Sequence, residues 1–181
     1  MIPSVVSPIL PPTAPQFRNK IYWLWTKGGS DTPHYPLPGR ERAVEENSWK
    51  PKALQPFLDS IAEAKISRLI FDPHFDERVG IWSIWEYLQF NPDVETKIIV
   101  GKESVFREIS SWKSTQDQSL VKYVHVKYSD LDFHDRFAVM DFELWHFGST
   151  VGGAYPKFGA VTRGWDGAEF RKVFETIWKK T

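Results

Sequence analysis

The sequence contains no cysteine and only two methionines in 181 residues. Without thiols there is no disulfide framework, no zinc-thiolate centre and no cysteine nucleophile, and the chain suits a reducing compartment. Neither sign of charge is in excess, because 23 basic and 23 acidic side chains give a formal net charge of zero. This excludes a protein that coats nucleic acid through bulk positive charge, while leaving room for a local basic patch. Long apolar runs are also missing. No stretch reaches the ~18 to 20 uninterrupted apolar residues that cross a bilayer, and Met1–Pro15 has neither the basic start nor the apolar run of a signal peptide. A soluble, cytoplasmic chain without a transmembrane segment is therefore expected. There is no G-x-x-x-x-G-K-[ST], G-x-G-x-x-G or G-x-S-x-G, which argues against nucleoside-triphosphate hydrolysis, dinucleotide binding and a serine-hydrolase elbow.

Aromatic side chains are plentiful. Nine Trp and thirteen Phe, within a hydrophobic share of 41%, predict one well-filled core and an aromatic oligomer face. Five prolines in Met1–Gln16 rule out a helix interior or a central strand there. This segment reads as an extended arm whose apolar residues Val5, Val6, Ile9 and Leu10 suit a partner subunit, leaving residues 17–181 as a single domain.

Ile21–Trp25 (IYWLW) is a short apolar run that fits a buried strand. A turn-rich loop follows over Lys27–Asn47, carrying His34, Arg40 and Arg42, and loops of this length are usually functional or disordered. Phe57, Leu58, Ile61 and Ala62 follow helical spacing to about Lys65. Ile66–Phe71 reads as a strand ending at Asp72-Pro73, and Ile81, Ile84, Trp85 and Leu88 mark a second helix. Lys97–Val100 is a strand, Val105, Phe106, Ile109 and Trp112 are the buried stripe of a third helix, and Val121–Tyr128 alternates as a strand. Phe133–Asp141 and Phe142–Phe147 read as two tightly joined strands, with another at Phe158–Thr162. Phe170, Val173, Phe174, Ile177 and Trp178 define an amphipathic C-terminal helix capped by Asp166. This order predicts an α/β fold with a mixed, mostly parallel central sheet, helices on both faces and a late antiparallel hairpin.

The chemistry concentrates in FHDRFAVMDFELWHFGST, which has the spacing H-x-R-x4-D-x6-G-S. On an extended strand alternate residues share a face, so His134 and Arg136 point the same way. Gly148 permits close backbone approach and Ser149 offers a hydroxyl, a combination suited to an anionic oxygen. Phosphate-ester chemistry needs this set: a nucleophile or base, a fixed cation on the oxygens and a carboxylate to orient the imidazole. Taken singly, each residue is equally well explained as an ordinary hydrogen-bonding or edge residue.

The pattern resembles the phospholipase D superfamily signature, H-x-K-x4-D-x6-G-S-x-x-N. The resemblance is close over residues 134–149 and looser over about 66–181, where Phe71-Asp72-Pro73-His74-Phe75 matches an early strand and turn. It implies a phospholipase D-like fold and a phosphohistidine mechanism that uses no metal or cofactor. In that mechanism His134 is the nucleophile or general acid, Arg136 the phosphate clamp, Asp141 an orienting carboxylate and Ser149 an oxygen ligand. His74, Gly148, Thr150 and Arg163 would line the substrate. Because the family pairs two histidines and this chain has one copy of the motif, the resemblance implies a homodimer with the site on its two-fold axis. Nucleic acid or another phosphodiester is the ligand it suggests. Two positions depart from the signature: Arg136 stands for lysine and Gly152 for asparagine. The HDR form is similar to the phospholipase D-like domain at the C-terminus of some MIT-domain proteins, a branch that binds phospholipid without turnover. An inactive phosphate-, phospholipid- or protein-binding module is thus the alternative.

Asp72, His74 and Asp76 at a strand end offer oxygen and imidazole ligands for a divalent metal, although a turn and a helix cap explain the two aspartates more simply. His146 reads as a packed or edge histidine, and His125 as facing solvent or a helix.

Overall fold

The computed structural model describes residues 19–25, 28–30, 54–75, 81–152 and 159–181. The Pro-rich arm, the loop residues His34, Arg40 and Arg42, and Asp76 lie outside these residues. Eight described strands form one sheet: β1 (Lys20–Trp25), β2 (Gly28–Ser30), β3 (Arg68–Asp72), β4 (Thr96–Val100), β5 (Val124–Tyr128), β6 (Arg136–Met140), β7 (Glu143–Phe147) and β8 (Gly159–Asp166). Between and after them lie α1 (Gln55–Glu63), α2 (Trp82–Leu88), α3 (Glu103–Thr115), α4 (Gln118–Val121) and α5 (Ala168–Lys180). The strand order across the sheet is β2-β1-β8-β7-β6-β3-β4-β5.

The expectation of a mostly parallel sheet is overturned. Only β3–β4 and β4–β5 pair in parallel, whereas β1–β2, β1–β8, β3–β6, β6–β7 and β7–β8 are antiparallel. The physical reason lies in the connections. Parallel neighbours need a crossover long enough for a helix, and only α2 and α3 supply one within the sheet. From β6 onward the chain turns back on itself, and β1 joins the far side antiparallel to β8. A mixed α/β sheet with helices on both faces stands.

The two faces hold separate apolar clusters. Residues of α1, α2, α3 and α4 pack with Ile70, Ile98, Val100, Ala138, Trp145 and Phe147 on one face. The other face carries α5, whose Phe170, Phe174, Ile177 and Trp178 cover Leu69, Phe71, Ile99 and Val139. β3 is consequently buried at all five positions, which explains why ISRLIF shows no period-2 alternation. Phe57 of α1 meets Trp145 and Phe147 edge-on at centroid distances of 5.3 and 4.7 Å. On the α5 face, Trp178 lies beneath the Lys97 and Lys127 ammonium groups, and Lys127 Nζ also donates to its carbonyl at 2.7 Å.

Boundaries differ from the sequence reading in three informative places. Val121 ends the short helix α4, so only Val124–Tyr128 of that run is strand. Val173, counted in the C-terminal apolar stripe, is 55% exposed because its turn position faces away from the sheet. β6 begins at Arg136, leaving Phe133, His134 and Asp135 in the preceding segment. The N-cap of α5 is Gly167 and not the expected Asp166, which ends β8 and accepts the Ala168 N–H at 2.9 Å from the position before the cap.

A buried arginine ties the loops at the amino end of β3. Arg68 is 1% exposed and donates from Nε to the Ile61 carbonyl at 2.8 Å, and from its terminal nitrogens to Val94 and Asn91 carbonyls. Burial lowers its pKa to about 10, partly countered by Asp141, so it stays cationic at neutral pH.

Candidate phosphate site at the carboxyl ends of the parallel strands

β3, β4 and β5 point their carboxyl ends in one direction, and open α/β sheets usually bind ligands at that edge. Here the strands deliver Asp72-Pro73-His74, Gly101-Lys102 and Tyr128-Ser129. The antiparallel hairpin brings its own residues to the same edge, because Arg136 at the start of β6 pairs with Phe147 at the end of β7. A cleft of about 330 Å³ opens between these termini, lined by Pro73, His74, Gly101, Lys102, Tyr128 and the segment from Asp130 to His134.

Asp72 organises the edge. It is fully buried, and its carboxylate accepts the His74 N–H at 2.8 Å and the Val151 N–H at 2.7 Å. The second bond docks the turn carrying Gly148, Ser149 and Thr150 onto the end of β3. Arg136 Nε lies 3.8 Å from the same carboxylate, its side chain 14% exposed, and donates no hydrogen bond to any described residue. Nε itself is closed off from solvent, and the small exposed share of the side chain is what an oxyanion at this edge could meet.

His134 is 86% exposed, with Nδ1 3.4 Å from the Asp135 carboxylate. His74 shares the cleft with it. The His74 pKa is lowered, first by burial and then by the positive fields of Lys102, Arg136 and His134. Four basic groups from three strand ends thus act on one small volume.

The structure brings His134, Arg136, His74, Gly148, Ser149 and Thr150 to this edge, but it separates two other candidates from it. Asp141 occupies the link between β6 and β7 at the opposite end of the strand, about 16 Å from Arg136 at ~3.3 Å per residue. There its carboxylate accepts the N–H groups of Lys65, Ile66 and Ser67. Its positive φ of 53° turns the chain into β7, a conformation that Asp tolerates better than most residues. Arg163 forms a bidentate pair with Glu143 at 2.7 and 2.6 Å and lies over the Trp145 ring, well down β8 from the cleft.

His146 stacks on Phe137 at 4.8 Å, a packing role, and His125 lies 3.9 Å from Glu95. No group of three metal-ligating side chains occurs among the described residues, and Asp76 is not one of these. Sequence reasoning missed Lys102 and the pairing of Asp72 with Arg136. The signal for Lys102 was its place just after the β4 strand, level with the Asp72-Pro73 turn.

No protein-family model matches the chain, and no curated protein does. Among solved structures it is similar to Nuc from Salmonella typhimurium, a phospholipase D family member, with a TM-score of 0.51 and 15% identity over 70% of this chain and 87% of Nuc. NucT from Helicobacter pylori follows with a TM-score of 0.48 and 12% identity, covering 70% of this chain and 87% of that one. TrmBL2, an archaeal chromatin protein with a novel mode of DNA binding, gives 0.49 and 20% over 70% of this chain. The chain spans about half the length of TrmBL2, matching 48% of it. No helix among the described residues is long and apolar enough to cross a membrane. At such identities the likeness is one of fold: the sheet and helices are arranged as in a phospholipase D family member.

Proposed function

We propose that this protein hydrolyses phosphodiesters, with His134 as the nucleophile on phosphorus and Arg136 as the clamp on the non-bridging oxygens. The observation that carries the reading is the Arg136 Nε. It is buried, faces Asp72 at 3.8 Å and has no hydrogen-bond partner among the described residues, beside a cleft lined by His74 and His134. An oxyanion at this edge would meet the exposed remainder of the Arg136 side chain, which Asp72 holds in place from its buried side, and would balance the local positive charge.

In the reaction, the His134 imidazole attacks phosphorus, the bond to the leaving oxygen breaks, and a second imidazole supplies that oxygen with a proton. Water then cleaves the phosphohistidine and returns His134 to its neutral form. A second copy of the chain, meeting this one across a two-fold axis, brings the second His134. The high exposure of His134 supports this arrangement, since a partner has access to it. Nucleic acid is the substrate class favoured here.

One observation favours a second reading, in which the site binds phosphate without turnover. Gly152 stands where the signature has asparagine, and a Cβ there would lie 2.5 Å from Ser83 Oγ. The backbone at this corner leaves that position no side chain to offer.

The test is release of p-nitrophenol from bis(p-nitrophenyl) phosphate in EDTA. Turnover that falls by at least ~10²-fold in His134→Ala, with circular dichroism unchanged, supports hydrolysis. Anion binding that is lost in Arg136→Ala, with no detectable turnover in the parent, selects the binding module. Sedimentation equilibrium that gives a monomer with full activity refutes the two-fold site.

A further inference from the structure

We infer that the cleft beside His134 seats one unpaired nucleotide of the strand being cut. Its phosphate would lie on Lys102 and His74, its base against Tyr128 and Leu131, and an amino group of the base on Asp130 or Asp132. This rests on the reading of His134 and Arg136 as a phosphodiester site, and adds the class of flanking group that the site accepts.

The argument begins with size. About 330 Å³ lies at the lower end of the ~300 to 1,000 Å³ typical of small-ligand sites, room for one nucleotide. The floor is fixed. Gly101 lies so near β3 that a Cβ would stand 2.9 Å from Pro73 Cβ, and Phe133 is stacked on Phe71 at 3.8 Å.

The walls differ in chemistry. Lys102 sits at the N-terminus of α3, where the ammonium and the helix dipole both favour an anion. Its side chain has no hydrogen bond or ion pair with any described residue, while the neighbouring Glu103 is taken up by Arg107. In the same lining, Tyr128 is 37% and Leu131 50% exposed, large apolar surfaces left uncovered beside polar groups. Such surfaces suit the face of a base, and stacking on an aromatic ring tolerates any base.

Asp130 and Asp132 supply the discrimination. Both are exposed on the cleft rim, and neither forms an ion pair with a described residue. A carboxylate accepts hydrogen bonds and donates none, so it pairs with the exocyclic amine of cytosine, adenine or guanine. Thymine and uracil have no such amine. The two carboxylates also repel the paired phosphate rows of a duplex, which a flexible single strand can avoid.

The experiment is fluorescence anisotropy at fixed salt with labelled hexamers of deoxycytidine, deoxyadenosine and deoxythymidine, and with a duplex of equal length. The deoxycytidine and deoxyadenosine hexamers are expected to bind about tenfold more tightly than deoxythymidine. Asp130→Asn with Asp132→Asn should abolish that ratio, and Tyr128→Ala should weaken all three about tenfold. Lys102→Ala should weaken them uniformly and lower the salt dependence by about one phosphate contact. Equal binding of deoxythymidine, equal binding of the duplex, or indifference to Tyr128→Ala overturns the inference. So does capture by phosphatidylserine vesicles without hexamer binding. Bis(p-nitrophenyl) phosphate carries no base, so loss of its turnover in His134→Ala tests the phosphodiester reading separately from the base site.

Discussion

Arg136 and Asp72 face each other at the ends of two antiparallel strands, Nε to carboxylate at 3.8 Å, and the same carboxylate holds the N–H groups of His74 and Val151. One fully buried acid therefore sets the cation, the cleft histidine and the turn bearing Ser149. Replacing Asp72 by Ala leaves a largely buried guanidinium and two amides without their partner. The expected loss is about 3 kcal/mol, read from the urea midpoint. Adding Arg136→Met to Asp72→Ala should recover part of that loss, because the stranded charge is then gone; strict additivity of the two changes would refute the coupling.

Asp141 separates stability from chemistry. Asp141→Ala removes the acceptor for three amides and places alanine at a φ of 53°, with an expected cost of about 2 to 3 kcal/mol. Asp141→Asn keeps one acceptor oxygen and a tolerated backbone, and should cost less. Activity per folded molecule, measured well below each variant's melting temperature, should match the parent in both cases. A large kcat loss in Asp141→Asn would return this residue to the reaction.

Gly152→Asn restores the residue of the resembled signature and is expected to do harm. The glycine has a φ of 67°, and a Cβ would meet Ser83 Oγ at 2.5 Å and Ile84 Cγ2 at 2.9 Å. Thermal unfolding should show destabilisation of about 1 to 3 kcal/mol, relieved in part by Ser83→Gly. Asn at 152 with an unchanged melting temperature would show that α2 gives way more readily than this contact suggests.

His74 should titrate below the ordinary histidine range, since burial and the charges of Lys102, Arg136 and His134 all oppose its protonation. The folded state then binds this proton less tightly than the unfolded chain. The linked stability is fully present above the unfolded pKa of about 6.5 and is lost as pH falls through the lower folded value. NMR titration of the ring should show an upward movement in Lys102→Ala, and again on saturation with inorganic phosphate. A ring that ignores both changes would lie outside the cleft's field.

Much of the architecture was legible because helices and strands with distinct periods alternate along the chain. Phe57, Leu58 and Ile61 are buried in α1 at the predicted spacing, and Ile66–Phe71 reads as the strand it mostly forms. Pairing direction was not legible. Phe158–Thr162 gave a strand, but nothing local says that β1 lies antiparallel against it, since that pairing joins residues some 140 positions apart. At the site, the sequence marked His134, Arg136 and the Ser149 turn. The resemblance implied that Asp141 orients the imidazole, whereas a five-residue strand carries it to the other end of the sheet. Asp72 went unrecognised as the partner of Arg136 because 64 residues separate them, and only the β3–β6 pairing closes that gap.

The link between β6 and β7 consists of Asp141 and Phe142 alone, and strict register runs from there to Arg136 and Phe147. That link acts as a ruler for the far edge. Adding or deleting a single residue in it would slide one strand by a full side-chain position, turning Phe147 toward the α5 side while Arg136 stays where it is. Natural length variation is therefore expected everywhere around this edge before it is found in that corner.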